Sequence, residues 1–128
     1  NPALRFCMLA CDRMFVPYAP SSMDMWALAN VEEIYQQVAG QGRSADMIPI
    51  CLPSRVSPIS DERRAIAAIQ EDYPDFAHAR VRIHDRTAYR KPFGQGLTTL
   101  EMKRPDPKAK GELLGLYRET FDDDFRPA

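Results

Sequence analysis

The chain has 128 residues, enough for one domain with its own core and too few for two. Apolar residues make up 45% of it and charged residues 27%, a balance that excludes an intrinsically disordered chain. A net charge of −1 excludes a strong overall attraction to nucleic acid, although basic residues gather between positions 80 and 91.

The first half of the chain alternates predicted helices and strands. Apolar residues at the spacing of one helix face predict the helices, and short apolar runs bounded by proline or glycine predict the strands. In chain order we expect a helix, a strand, a helix, a strand and a helix over residues 2–10, 13–18, 24–39, 47–52 and 60–73. Ser60 is predicted to cap the last of these helices, and Pro74 to end it.

The second half begins with a segment, 77–84, in which apolar and polar residues alternate. This alternation predicts a half-exposed strand at the edge of a sheet. A helical turn over 86–93 and a glycine loop lead to a last helix. The predicted inner face of that helix comprises Ala109, Leu113, Leu116, Tyr117 and Phe121.

Strands that alternate with helices of this length predict an α/β fold, here part of a doubly wound, mostly parallel sheet with flanking helices. Such domains open with a strand whose following loop holds the ligand. The predicted order of elements begins after that unit. We therefore expect residues 1–128 to be a single domain fragment.

Four segments resemble the ParA and MinD-like partition ATPases. Residues 11–24 resemble the family's "a-D-x-v-x-v-P-x-x-P-s-x-x-D" stretch, which follows the Walker B strand, and residues 83–89 resemble its "I-x-x-R-x-a-y" element. Residues 96–101 resemble "G-x-x-v-x-E", and residues 108–119 resemble the last helix of the family. The four segments lie in family order at family-like spacing over nearly the whole chain.

The resemblance implies the C-terminal half of a P-loop NTPase-like ATPase that acts in plasmid or chromosome partition. It implies ATP and Mg²⁺ as cofactors of the parent protein, a nucleotide-dependent homodimer, non-specific DNA binding and a ParB-like or other stimulating partner. It also implies a cytoplasmic, nucleoid-associated protein with no membrane contact. The phosphate-binding loop G-x-x-x-x-G-K-[ST] does not occur in residues 1–128, so we expect no catalytic residue, metal site, cofactor or ATP hydrolysis in this fragment alone.

Two groups of site residues follow from the resemblance. The adenine-side group comprises Pro17, Pro20, Ser21, Ser22, Asp24, Ser54 and Arg55. The basic patch, expected to bind DNA, comprises Arg80, Arg82, Arg86, Arg90 and Lys91. The family often places an Asn-Arg pair at the end of the strand predicted over 47–52, where this chain has Pro53, Ser54 and Arg55, so nucleotide selectivity stays open.

Structural interpretations stand beside these functional ones. The serines and aspartate at 21–24 form a helix-start signal, and the basic patch is equally well explained as a solvated face. His78 and His84 lie ~20 Å apart along one strand, too far to share a metal, and are expected to face solvent. Cys7 and Cys11 share a helix face, where packing is preferred to a redox pair or metal ligands. Packing is also the preferred interpretation for Met23, Met25, Trp26, Tyr89 and Phe93.

An alternative function is a stand-alone α/β adaptor that acts by protein–protein contact. Without the first strands of a doubly wound domain, the sheet would expose an edge, and we would expect the chain to dimerise or aggregate unless something else covers it. The residues upstream of Asn1 discriminate between the two functions, because only the ATPase requires a phosphate-binding loop there.

Overall fold

The structure, a computed structural model, describes residues 2–20, 25–42 and 46–121. The strands are β1 (Phe15–Tyr18), β2 (Ile50–Pro53) and β3 (Ala77–His78). The helices are α1 (Pro2–Ala10), α2 (Met25–Val38), α3 (Arg63–Asp72), α4 (Thr87–Arg90) and α5 (Pro107–Phe121). Two 3-10 turns, Pro92–Gln95 and Thr99–Glu101, lie between α4 and α5.

The strands form one parallel sheet in the order β1-β2-β3, with Phe15 opposite Ile50 and Ile50 opposite Ala77. Helix α2 connects β1 to β2 and α3 connects β2 to β3, as parallel neighbours require. The predicted mixed α/β architecture, a small parallel sheet with flanking helices, is confirmed.

Alternation along β2 divides the core into two layers. Ile50 and Leu52 face one side of the sheet, where Leu116 of α5 packs against their cluster. Cys51 faces the other side, which α2 and α3 cover, and burial raises the pKa of its thiol to about 12. This second layer is built from Tyr18, Leu28, Ile69, Tyr73 and Phe76. Both faces of the sheet are therefore covered, which leaves its strand ends as the place for a site.

The predicted strand over 77–84 is regular only at Ala77–His78, which corrects its length. The carboxylate of Glu119 on α5 accepts hydrogen bonds from the backbone N–H groups of Arg80 and Val81, both at 3.0 Å. The Glu119 side chain thus accepts hydrogen bonds that the backbone of a neighbouring strand would otherwise accept. Pairing resumes at one parallel bridge between Val56 and His84, so the segment stays extended beside β2.

Two helix predictions were wrong in detail. Helix α3 begins at Arg63 without a side-chain cap, and the N–H of Ser60 instead donates to Ser57 Oγ at 3.0 Å. On α5, Tyr117 and Phe121 are exposed, whereas Glu119 and Thr120 are buried. The inner face of α5 is therefore partly polar, because its carboxylates serve the backbone and side chains of residues 80–89.

Candidate functional site

A cleft of about 270 Å³ lies where the chain leaves β2 and the extended segment after β3. We call it the strand-end cleft; its lining comprises Ser54, Arg55, Ile83, His84, Asp85, Arg86, Tyr89 and Arg90. In open parallel sheets, ligands bind outside the carboxyl ends of the strands. The cleft brings together the C-terminal members of the adenine-side group and two members of the basic patch.

The wall of this cleft that follows β2 has an uncommon backbone. Ser54 continues the pairing, because its N–H donates to Tyr18 O at 2.8 Å. Arg55 then adopts φ 50°, and it is the only residue other than glycine with positive φ in the described parts of the chain. Left-handed backbone at an arginine is strained, and such strain clusters at ligand sites. Its guanidinium is exposed and has no ion pair with any described residue.

The opposite wall is held by Glu112 of α5. Its carboxylate accepts hydrogen bonds from the Tyr89 hydroxyl at 2.7 Å, from Arg86 Nη2 at 2.8 Å and from the backbone N–H of His84 at 3.1 Å. Its Oε2 also lies 2.7 Å from Nδ1 of His84. Burial of Glu112 opposes ionisation, but the hydrogen bonds outweigh it and lower the pKa to about 2. Glu112 is therefore a fixed negative charge that orients three lining side chains.

The members of the basic patch differ in whether their charge takes part in an ion pair. Arg80 pairs with Glu119, Arg86 with Glu112 and Arg90 with Asp85. Arg82 and Lys91 have no ion pair within residues 2–20, 25–42 and 46–121. These two are thus the members of the patch whose charge no ion pair engages among those residues.

A second cleft, which we call the loop cleft, brings a further cation to the basic patch. This loop cleft, of about 410 Å³, is lined by both Lys91 and Arg104. The sequence patterns did not single out Arg104, because it lies in a proline-rich loop outside every motif. Its approach to Lys91 depends on how the two 3-10 turns fold back.

Other members of the adenine-side group lie along β1. Pro17 is an exposed residue of β1, where a missing N–H is tolerated at the sheet edge, and Pro20 follows the strand. The hydrogen bond from Ser54 N–H to Tyr18 O holds the ends of β1 and β2 together. Ser21, Ser22 and Asp24 lie outside the described residues, as do Met23 and the acidic run 122–124.

Several packing interpretations were wrong. Trp26 is 79% exposed and Phe93 84% exposed, so neither belongs to the core. Tyr89 is half-buried against Glu112, which confirms its structural role. His84 does not face solvent freely, because it contacts Glu112, and Nε2 of His78 lies 2.7 Å from Tyr73 O.

Among the residues that the structure describes, no three His, Cys, Asp or Glu side chains form a group that could hold a metal ion. No helix in the same residues is long and apolar enough to cross a membrane. Comparison of the chain with protein-family models, with curated proteins and with solved structures found no match.

Proposed function

We propose that this chain is the C-terminal part of a ParA-like ATPase, with a P-loop NTPase-like fold, that acts in DNA partition or positioning. In the parent protein ATP and Mg²⁺ would bind across the ends of the strands and promote a homodimer. The dimer would bind DNA without sequence preference, and a ParB-like or other partner would stimulate hydrolysis. The chain would supply part of the adenine-side wall and the basic patch.

The strand-end cleft is the observation that carries the proposal. Ser54 and Arg55, which the family resemblance assigns to the nucleotide, share it with Arg86 and Arg90, which lie more than 30 positions later in the chain. A cleft at the carboxyl end of parallel strands is where this class of fold binds nucleotides. The strained backbone of Arg55 is consistent with a residue held for a ligand rather than for stability.

The partners of each arginine refine the proposed roles. Arg86 is 18% exposed and held by Glu112, so it shapes the cleft and does not reach a DNA backbone. Arg82 and Lys91 carry the proposed phosphate contacts, because neither has an ion pair among the described residues. Such contacts release counterions and make affinity fall with salt. Exposed Phe93 lies two positions after Lys91 in the chain and adds an apolar side chain to that surface.

The nucleotide part is tested on the protein translated from the complete reading frame that contains this chain. We expect a lysine-bearing glycine loop upstream and ATP hydrolysis that DNA stimulates. Arg55→Ala should weaken ATP binding about tenfold, whereas Arg63→Ala should not, because Arg63 is an exposed arginine already paired with Asp61. A frame that encodes no such loop, or hydrolysis that is absent with the loop present, would leave the adaptor hypothesis in place of the ATPase.

The DNA part is tested by fluorescence anisotropy with a labelled duplex of arbitrary sequence, over a range of salt concentrations. Replacing Arg82 and Lys91 by glutamine should lower affinity and reduce the slope of log K against log salt by about 0.9 for each phosphate that the protein no longer neutralises. Replacing Lys108 and Lys110, two exposed lysines on α5, by glutamine is the matched control, because it removes the same number of charges. An equal effect of both changes would mean that only net charge matters and that the patch is not a site.

A further inference from the structure

We propose that the loop cleft is a second binding site, separate from the strand-end cleft, for a small organic anion with an apolar body. The cleft has a volume of about 410 Å³, within the range of ~300–1,000 Å³ typical of small-molecule sites. This inference goes beyond the proposed ATPase and does not depend on it.

The chemistry of the lining defines the ligand class. Apolar side chains form most of the wall and two cations complete it; the residues are Pro92, Met102, Pro105, Pro107, Lys91 and Arg104. Such a wall favours burial of a ring or short hydrocarbon, with one anionic group directed at the cations. Arginine adds directional recognition, because its planar guanidinium can donate two parallel hydrogen bonds to a carboxylate or phosphate.

The two cations are available for this role. Neither Lys91 nor Arg104 forms an ion pair with a residue of the described ranges. The one carboxylate in the lining, Asp106, accepts a hydrogen bond from the backbone N–H of Ala109 at 2.9 Å and so caps α5. The lining thus combines two positive charges that form no ion pair among the described residues with one negative charge, and the carboxylate that carries the negative charge caps the helix.

Local hydrogen bonds hold the cleft open without a ligand. Thr99 Oγ1 donates to Ala88 O at 2.9 Å and ties the second 3-10 turn to α4. Thr98 and Glu101 form a reciprocal capping box across that turn. Gly96 ends the first turn with φ 70°, a backbone that glycine adopts without strain. A preformed cavity loses little conformational entropy on binding, which is a common property of ligand sites.

The test uses three probes on the protein translated from the complete reading frame, each followed by two-dimensional NMR of backbone amides. The probes are 1-naphthoate, the neutral 1-naphthalenemethanol and inorganic phosphate. We expect naphthoate to shift the amides of Thr99 and Met102 and to bind at least tenfold more tightly than either other probe. Equally strong binding of the alcohol would overturn the proposal, because it would show that the anionic group is not recognised. Equally strong binding of phosphate would also overturn it, because it would show that the apolar body is not recognised.

Two variants assign the contacts. Arg104→Gln together with Lys91→Gln should weaken naphthoate binding at least tenfold and leave the alcohol within twofold, while Lys110→Gln should change neither. Ala88→Leu extends a side chain into the cleft and should weaken both naphthyl probes. The proposal fails if the paired substitution leaves naphthoate binding intact, or if naphthoate shifts amides of the strand-end cleft and not those of the loop cleft.

Discussion

Arg86 Nη2 lies 2.8 Å from Glu112 Oε2 across 26 positions of sequence, and the two side chains are 18% and 11% exposed. Glutamine at position 112 would keep the shape of the side chain but leave the largely buried Arg86 charge without its counter-ion. Breaking one side of a buried pair costs about 3 kcal/mol. We expect Glu112→Gln to lower the free energy of unfolding by that amount in urea denaturation.

Asp61→Asn is the control for this substitution. It removes an ion pair with Arg63 in which both side chains are largely exposed, so solvent screens it and we expect little change in stability. Equal effects of the two substitutions would contradict a special role for Glu112.

The same carboxylate gives stability a defined pH dependence. Its pKa falls from the usual 4.5 to about 2 in the folded chain, so the unfolded chain takes up its proton first as the pH falls. The stabilisation is therefore complete above pH 4.5 and is lost progressively toward pH 2. A shift of this size corresponds to about 3 kcal/mol. Unfolding free energies measured across this range should converge for the native chain and Glu112→Gln; a constant difference would contradict the assignment.

The order of helices and strands could be predicted from sequence because apolar spacing reports which face of each element is buried. The inner face of α5 could not, since a charged residue at helical spacing is normally expected to face solvent. Glu112 and Glu119 point inward because they accept hydrogen bonds from residues 80–89. Those residues belong to a distant part of the chain. No local pattern encodes such a pairing, and apolar spacing alone predicts that Tyr117 and Phe121 lie in the core.

The site residues also divide into those that could be predicted from the sequence and those that could not. Ser54 and Arg55 could be singled out only through the family resemblance, which implies a nucleotide contact at the end of the strand predicted over 47–52. The pairing of Arg80 and Arg86 could not be foreseen, because their carboxylate partners lie more than 25 positions away. Arg90 pairs with Asp85 only five positions away, but no pattern in the sequence distinguishes this local pair from a free charge. Lys91 and Arg104 come together through the turns after α4, whose path depends on tertiary hydrogen bonds.

Glu119 should control the opening of the extended segment after β3. Its buried carboxylate is the acceptor for the N–H groups of Arg80 and Val81, and alanine would remove this acceptor from both donors. We expect Glu119→Ala to accelerate hydrogen exchange of these two amides at least tenfold and to destabilise the fold by about 3 kcal/mol. Glu101→Ala, which removes a carboxylate from a different loop, should leave both amides protected. Unchanged exchange in Glu119→Ala would show that the strand does not depend on this side chain.

Arg55→Gly should separate stability from ligand binding. At φ 50° glycine avoids the contact between Cβ and the backbone, so we expect the free energy of unfolding to rise by about 1 kcal/mol, partly offset by the greater freedom of glycine in the unfolded chain. Urea denaturation with an unchanged m value measures this gain. Arg55→Lys keeps both the strain and the charge and should show no gain.

In the protein translated from the complete reading frame, the same Arg55→Gly change should weaken ATP binding, because it removes the one arginine of the strand-end cleft that has no ion pair among the described residues. A variant that is more stable and binds less nucleotide would identify a residue retained for function at the expense of stability. A variant that loses stability would instead mean that the Arg55 side chain packs productively against the fold. In that case its left-handed backbone would be a consequence of packing and not a property of the site.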